Sequence, residues 1–340
     1  MKNRCEFSTL NLRVQNSFNR VGYTLYSALL PNIGQQARAC YVWQKLTEII
    51  IKIMFTRIGL ITNSGVKAIQ KTLSEVVAYL SANNREIILD KCCAELIGNS
   101  DYPVYEPGEL GKHCDLVIAI GGDGTMLMAA RLLCDSDVPL LGINLGRVGF
   151  LSDIPADDIE HNMDEILNGH YVEDVRFLLR GQVFRNGNCI CEDYALNDVI
   201  IQKWNIARLV ELETYINGSF VHTHRSDGMI VSSPTGSTAY ALSGGGPVMH
   251  PSLDALLLVP ICPHSLTNRP IVVDGNSCIE IVVGTREVDQ ARLTFDGEIR
   301  LELAPGDRVR VKKKNKKIRL IHPPEHDQFH ILREKLHWSK

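Results

Sequence analysis

The run Asp115-Leu-Val-Ile-Ala-Ile-Gly-Gly-Asp-Gly-Thr125 constrains this chain more than any other stretch. Leu116 to Ile120 is apolar without alternation, the pattern of a strand buried on both faces of a parallel sheet. Gly121, Gly122 and Gly124 then allow a tight turn and a close approach to a ligand, and Thr125 to Leu133 reads as a helix. A strand, a glycine turn and a helix start bring unpaired N–H groups and the positive end of the helix dipole to one point, which suits phosphate. Asp123 lies inside that turn. A carboxylate repels phosphate, so its place there points to chemistry: it holds a cation or takes a proton from a hydroxyl. The competing role is a carboxylate that only stabilises the helix start.

From Met54 onward the chain alternates between strand and helix patterns. Arg57 to Thr62 reads as a strand, and Ile69, Leu73, Val76, Val77 and Leu80 then fall on one helical face. Glu86 to Leu89 and Pro139 to Asn144 are further strands, and Ala156 to Leu167 a helix with Pro155 near its start. Strands spaced by helices predict parallel βαβ units, with ligands bound beyond the carboxyl ends of the strands. The turn at Gly121 and the second glycine-rich exit, Gly146 to Leu151, then share one edge of the sheet.

After about Asp174 the pattern becomes β. Asn186-Gly187, Asn217-Gly218 and Asp296-Gly297 each mark a hairpin turn between strand-like runs. Val309 and Val311 alternate with basic residues, and Lys312 to Lys317 reads as a charged turn before Ile318 to Ile321. The expected fold class is therefore an α/β N-terminal domain with a Rossmann-like parallel sheet and a mainly-β, sandwich-like C-terminal domain. The expected boundaries are 54–172 for the α/β domain and 173–325 for the β-rich domain. Residues 326–340 form a tail that packs back on the first domain.

Residues 1–53 stand apart. They hold seven basic residues (Lys2, Arg4, Arg13, Arg20, Arg38, Lys45 and Lys52) against Glu6 and Glu48, with no sustained periodicity and no signal-peptide cleavage pattern. They are expected to be a disordered extension or a non-native start with no catalytic part. The net charge of −3 argues against a dedicated nucleic-acid binder, and no apolar run reaches the ~18–20 residues that span a membrane. None of the ten cysteines forms a C-x-x-C pair, so a zinc site is poorly supported and the expectation is reduced thiols in a cytoplasmic protein. No metal ligand is assigned from the sequence.

A second motif-rich stretch runs from Arg225 to Pro247. Asp227 precedes a strand, Gly228 to Ser232, which enters a Pro-Thr-Gly-Ser-Thr turn and a short helix at Ala239. The hydroxyls of Ser233, Thr235, Ser237, Thr238 and Ser243 suit a polyhydroxylated or phosphorylated ligand and exceed what capping one helix needs. Asn197-Asp198, at the start of another strand, offers an amide and a carboxylate for a base edge or a ribose diol.

Gly-Gly-Asp-Gly-Thr at 121–125, Asn-Asp at 197–198, Ser-Asp-Gly and Pro-Thr-Gly-Ser-Thr-Ala-Tyr within 226–240, and Pro263 to Pro270 occur in this order in NAD kinases. From about Met54 to Leu336-His-Trp-Ser-Lys340 the chain resembles that family, most of all its Gram-negative members. The resemblance implies an NAD site between the two domains, phosphoryl transfer from ATP to the 2′-hydroxyl of the adenosine ribose, a divalent cation (usually Mg²⁺) and a homodimer or homotetramer. It assigns Asp123 as the group that takes the hydroxyl proton. It places NAD contacts at Gly124, Asn197, Asp198, Asp227, Thr238, Ala239, Tyr240, Ala241, Leu242 and Ser243, and further at Phe150, Arg208 and Arg225. Two positions depart from the family: Asp198 stands where Glu is frequent, and Glu298 where Gln is frequent.

Each assignment has a competitor. Asp227 before Gly228 also fits a simple turn, Arg208 and Arg225 fit surface ion pairs, and Tyr240 fits core packing. His222 and His224 alternate on one strand without an evident third ligand. Gly-Gly-Asp-Gly alone is shared with lipid kinases of the diacylglycerol type, for which the Pro-Thr-Gly-Ser-Thr-Ala-Tyr stretch is not expected. A non-catalytic NAD-binding regulator would keep the cleft residues and have no use for Asp123.

Overall fold

In a computed structural model of the chain, residues 55–63, 67–98, 101–146, 149–204, 208–285 and 291–338 are described. The expectations for residues 1–53, and those touching Met54, Arg147, Val148 and the final Ser339-Lys340, lie outside them. The first half runs β1 (Arg57–Ile61), α1 (Lys67–Ala82), β2 (Glu86–Asp90), α2 (Lys91–Ile97), β3 (Val104–Tyr105), α3 (Leu110–His113) and β4 (Leu116–Ile120). It continues with α4 (Asp123–Leu132), β5 (Leu140–Asn144), β6 (Ile154–Pro155) and α5 (Ile159–Leu167). The parallel order β5-β4-β1-β2-β3 is that of a sheet wound on both faces. On one face Ile58, Leu60 and Ile118 pack against Leu73 and Val76 of α1 and Met163 of α5. On the other, Ile61, Val117 and Ala119 pack against Met126, Ala129 and Leu133 of α4 and the residue that follows it. Both faces are covered, and for that reason β4 reads as a continuous apolar run.

The second half supplies β7 (Val172–Arg185), β8 (Asn188–Ala195), β9 (Asp198–Lys203), β10 (Val210–Ile216), β11 (Ser219–Ser226) and β12 (Gly228–Ser232). After α6 (Tyr240–Ser243) come β13 (Ala255–Ile261), β14 (Ile271–Asp274), β15 (Ile279–Val283), β16 (Ala291–Phe295), β17 (Glu298–Leu303), β18 (Arg308–His322) and α7 (Gln328–Leu336). A six-stranded sheet, β14-β13-β12-β9-β16-β17, faces antiparallel strands that include β7, β10, β15 and β18. Leu179, Val199, Leu212, Met229, Ile281, Phe295 and Val309 fill the space between them, a sandwich core. The expected hairpins at Asn186-Gly187, Asn217-Gly218 and Asp296-Gly297 all have both residues at positive φ, as a two-residue type I′ turn requires.

Three expectations are corrected. Lys312 to Lys317 is not a turn. It lies within β18, one strand of 15 residues whose pairing with β7 shifts register between Lys313 and Lys317. The basic run is tolerated because Lys313 and Lys314 pair with Asp254 and Asp135 and lie over the rings of Phe177 and Tyr194. The helix expected from Ala156 begins only at Ile159, since Ile154 and Pro155 pair in parallel with Ile143 and Asn144 of β5. The helix expected from Thr125 begins at Asp123, with Gly122 as its extended N-cap residue.

β18 also joins the two halves. Its first part pairs with β15, and near its end Leu320 and Ile321 pair in parallel with Leu140 and Leu141 of β5. One twelve-stranded sheet therefore runs from the β-rich half into the α/β half.

Candidate active site

β4 ends at Ile120, and the chain turns into α4 through Gly121. The φ of Gly121 is +152°, and a Cβ there would lie 2.2 Å from Thr125 Oγ1. Added Cβ atoms at Gly122 and Gly124 would meet open space, so the backbone at the helix start is accessible, and Thr125 N is the first N–H of the helix to turn back, onto Gly122 O at 3.0 Å. Asp123 is the first residue of α4, yet its carboxylate is held by the loop after β5 and not by its own helix. Its Oδ2 accepts from Phe150 N at 2.9 Å. Its Oδ1 accepts from Leu151 N (3.0 Å) and from both N and Oγ of Ser152 (3.2 Å each). Gly149 makes this possible, because a Cβ there would stand 2.0 Å from Asp123 Oδ1. Asn144, at the end of β5, steadies the loop by donating to Ser152 Oγ at 2.9 Å. The two glycine-rich exits expected to share a sheet edge thus meet through this carboxylate.

Asp123 lines a cleft of about 230 Å³ together with Phe150 and Leu151 of the loop that holds it and with Arg176, Asn197, Pro234, Thr235, Thr238 and Ala239 of the β-rich half. Met249, Pro251 and Gln328 complete the wall. Asn197 is fixed through its backbone: its N–H donates to Asp296 Oδ1 at 2.8 Å, and its carbonyl accepts from Ser233 N at 2.9 Å. Gly236 packs so closely that a Cβ would approach Asn197 O to 2.3 Å. Of the five hydroxyls singled out in the sequence, those of Ser233 and Ser237 are fully buried and donate to the carbonyls of Leu196 and Pro234. Those two shape the turn. Thr235 and Thr238 are the ones that reach the cleft wall.

The remaining expected contacts are spread around this cleft. Asp198, one residue past Asn197, is buried, and burial together with the nearby Asp296 carboxylate pushes its own carboxyl up to about 7. Asp227 is half-buried and pairs with Lys203 at 2.6 Å. Arg225 is exposed and pairs with Glu211 at 2.9 Å, and Arg208 is exposed next to residues outside the description. On α6, Tyr240 and Ser243 are exposed, Ala241 is buried and Leu242 is half-buried. None of these eight is among the residues that line the cleft, and Gly124 lies one position beyond Asp123. Glu298, the departure noted above, pairs with Arg131 and Arg300.

Arg176 was not anticipated. It is 3% exposed on β7, its Nη1 donates to Thr235 Oγ1 at 3.0 Å, and its other side is clasped by Asp174. A buried guanidinium lining the same cleft as Asp123 is a planar donor group suited to phosphate. The one signal in the sequence was a basic residue opening the apolar run Phe177 to Leu179, with an acid two positions earlier on the same strand face.

Two family domains account for most of the described chain. The ATP-NAD kinase N-terminal domain matches residues 58–171, and the ATP-NAD kinase C-terminal domain matches residues 196–323. The chain belongs to the ATP-NAD kinase family. Among its relatives, NAD kinase of Marinobacter nauticus is 45% identical over 285 residues, covering 84% of this chain and 97% of that protein. NAD kinase of Hahella chejuensis is 46% identical, with 84% and 96% covered. The fold is similar to that of yeast NADH kinase complexed with NADH, at a TM-score of 0.77 and 25% identity over 84% of this chain and 88% of that one. It is also similar to the fold of an NAD kinase from Archaeoglobus fulgidus in complex with ATP, at a TM-score of 0.63 and 24% identity over 83% and 98%. The α/β half and the sandwich half described above are thus the two domains of an NAD kinase fold.

Proposed function

We propose that Asp123 is the proton acceptor as this ATP-NAD kinase transfers a phosphoryl group from ATP to the 2′-hydroxyl of the adenosine ribose of NAD, giving NADP. The observation that carries this role is the unequal loading of the carboxylate: Oδ1 accepts three donors, whereas Oδ2 accepts one. An oxygen with two lone pairs and one donor retains room for a hydroxyl proton. Phosphoryl transfer depends on orienting the nucleophile and neutralising the triphosphate. The rigid loop at residues 149–152 supports the first, and Arg176 with the open N–H groups after Gly122 supports the second.

Asn197, Thr238 and Ala239, which line the cleft with Asp123, are assigned to hold NAD together with Phe150. We assign Gly124, Asp198, Arg208, Arg225, Asp227, Tyr240, Ala241, Leu242 and Ser243 to the extended NAD site, on the strength of their family positions. Asp123 is the one carboxylate among the described cleft-lining residues. That donor set fits a Mg²⁺ ion carried on the triphosphate, with at most Asp123 Oδ2 from the protein, better than an all-protein cage. Such an ion, when bound, neutralises phosphate charge. The working boundaries remain 54–172 and 173–325, with 1–53 as a non-catalytic extension. No described helix is long and apolar enough to cross a membrane. A cytoplasmic homodimer or homotetramer is the expected setting, and β11, which among the described strands pairs with β10 alone and exposes Phe220, offers an edge for self-association.

The test is a coupled assay with NAD, ATP and Mg²⁺, in which NADP is read by an NADP-specific dehydrogenase. It is run on the full chain, on a chain starting at Met54, and on Asp123→Asn. Both unsubstituted proteins should form NADP, while Asp123→Asn should keep NAD affinity within a few-fold and lose ~10²–10⁴ in turnover. Unchanged turnover in Asp123→Asn would remove Asp123 as the base.

A further inference from the structure

We propose that Asp153, His322 and His326 form a binding site for a divalent transition-metal ion of the zinc class, set behind the cleft wall. Their potential ligand atoms all lie within 4.8 Å of one another, although the residues are far apart in sequence. Asp153 follows Ser152 in the loop that holds Asp123, His322 ends β18, and His326 lies just before α7. The side chains are buried, with 9%, 1% and 8% exposure. Both imidazoles turn Nδ1 toward the same atom, Asp153 Oδ2, at 2.9 Å from His322 and 2.7 Å from His326.

Two orphaned atoms support a cation over a simple hydrogen-bonded cluster. With Nδ1–H donated to Asp153, His322 Nε2 is a buried acceptor without a partner among the described residues, and Asp153 Oδ1 is a second one. Leaving buried polar atoms unpaired costs about 1–3 kcal/mol each. Asp174 Oδ2 lies 4.0 Å from His322 Nε2, and it too is an acceptor. A metal at Nδ1 resolves both. It takes the Nδ1 lone pair of each imidazole, so the ring proton sits on Nε2, and His322 Nε2–H then points a donor at the Asp174 carboxylate. No proton is gained or lost in that tautomer change. A carboxylate behind a ligating histidine is a recurrent arrangement at metal sites. Asp153 Oδ2 loses its two donors in the same step and becomes available as a ligand beside the already unpartnered Oδ1.

The donor set of two imidazole nitrogens and a carboxylate suits Zn²⁺ or Co²⁺ and is a poor match for Mg²⁺ or Ca²⁺, which prefer oxygen. Three protein ligands leave a fourth position for water. The rings are stacked, with centroids 3.9 Å apart and planes 22° apart, so bringing both nitrogens to ~2.1 Å from an ion requires them to splay. His326 lies in the chain segment after β18, where a small shift can supply that movement. The site touches the cleft from two directions, through Ser152 to Asp123 and through Asp174 to Arg176.

The test uses the full chain, stripped with a chelator and titrated with Zn²⁺ alone by calorimetry, in parallel with His326→Gln and Asp153→Asn. One equivalent of Zn²⁺ should bind the unsubstituted protein and raise its melting temperature. Each substitution should weaken that binding by at least about 10-fold. Because the chain has ten cysteines, Co²⁺ is added to the unsubstituted protein as a spectroscopic probe, which also serves if a variant fails to fold. Visible d–d bands without near-ultraviolet thiolate bands are expected. Absence of Zn²⁺ binding, binding unaltered in His326→Gln, or thiolate bands with Co²⁺ would overturn the proposal and leave the cluster as a hydrogen-bonded clamp.

Discussion

Arg131 Nη1 lies 3.4 Å from Asp296 Oδ2, and both side chains are buried. Arg131 is in the last turn of the helix that begins at Asp123. Asp296 accepts from the N–H groups of Leu196, Asn197 and Asp198. The pair therefore ties the helix carrying the proposed base to the strand entry carrying Asn197. Asp296→Ala leaves a buried cation short of a partner and three N–H groups unbonded, at a cost of about 3–5 kcal/mol. Denaturant unfolding should show that loss, and steady-state kinetics should show KM for NAD rising. Unchanged stability would mean that Glu298 alone holds Arg131.

Gly149→Ala probes the other support of Asp123. The new methyl group would overlap Asp123 Oδ1, at 2.0 Å, and crowd Ser152 Oγ at 2.8 Å. The carboxylate or the loop must move, and a displacement of about 1 Å at a reacting group costs ~10²-fold in rate. Turnover should fall by that order while circular dichroism stays unchanged. Full activity would show that the carboxylate works in another position.

Arg176→Met removes the buried guanidinium from the cleft wall. We expect kcat/KM to fall by at least ~10-fold, the scale of one lost charge-assisted hydrogen bond. Arg176→Lys should restore little of it, since a single ammonium cannot span Asp174 and Thr235 as the planar fork does. Recovery by Lys would reduce the role of Arg176 to net charge.

Asp198 gives the fold a pH dependence. Burial first, and Asp296 second, hold its carboxyl at about 7, against about 3.9 in an unfolded chain. The folded state keeps a proton that the unfolded chain releases between those values. The stability this group contributes is therefore full below about pH 4 and lost as pH rises through about 7. Asp198→Asn removes that loss. Its melting temperature relative to the parent should increase from about pH 4 to about pH 7 and level off above. A difference that is flat across this range would place the charge of Asp198 elsewhere.

Much of this was legible in the sequence, because local patterns fixed it. β4 was an unbroken apolar run, α1 had its buried face at helical spacing, and the hairpin turns carried residues that tolerate positive φ. The features that escaped detection depend on partners distant in the chain. Lys312 to Lys317 looks like a tip until Asp254, Asp135 and the register shift against β7 are known. Ser233 and Ser237 look like ligand contacts until their carbonyl acceptors are seen. Asp153, His322 and His326 meet only because β18 ends beside β5. The glycine spacing marked Asp123 at once, but nothing local told that its carboxylate would be gripped by residues 150–152.

β5 has β4 on one side, and its other side is shared: β6 covers Ile143 and Asn144, while Leu140 and Leu141 pair with β18. A ribosome releases β5 roughly 180 residues before the strand that completes its pairing. During that interval the nascent α/β half carries an open edge, the kind of surface on which chains pair wrongly with one another. The N-terminal half is therefore unable to finish folding as it emerges, as domains commonly do. Its sheet is closed by the last of the described strands, and a chain cut before Arg308 should depend on chaperones or aggregate.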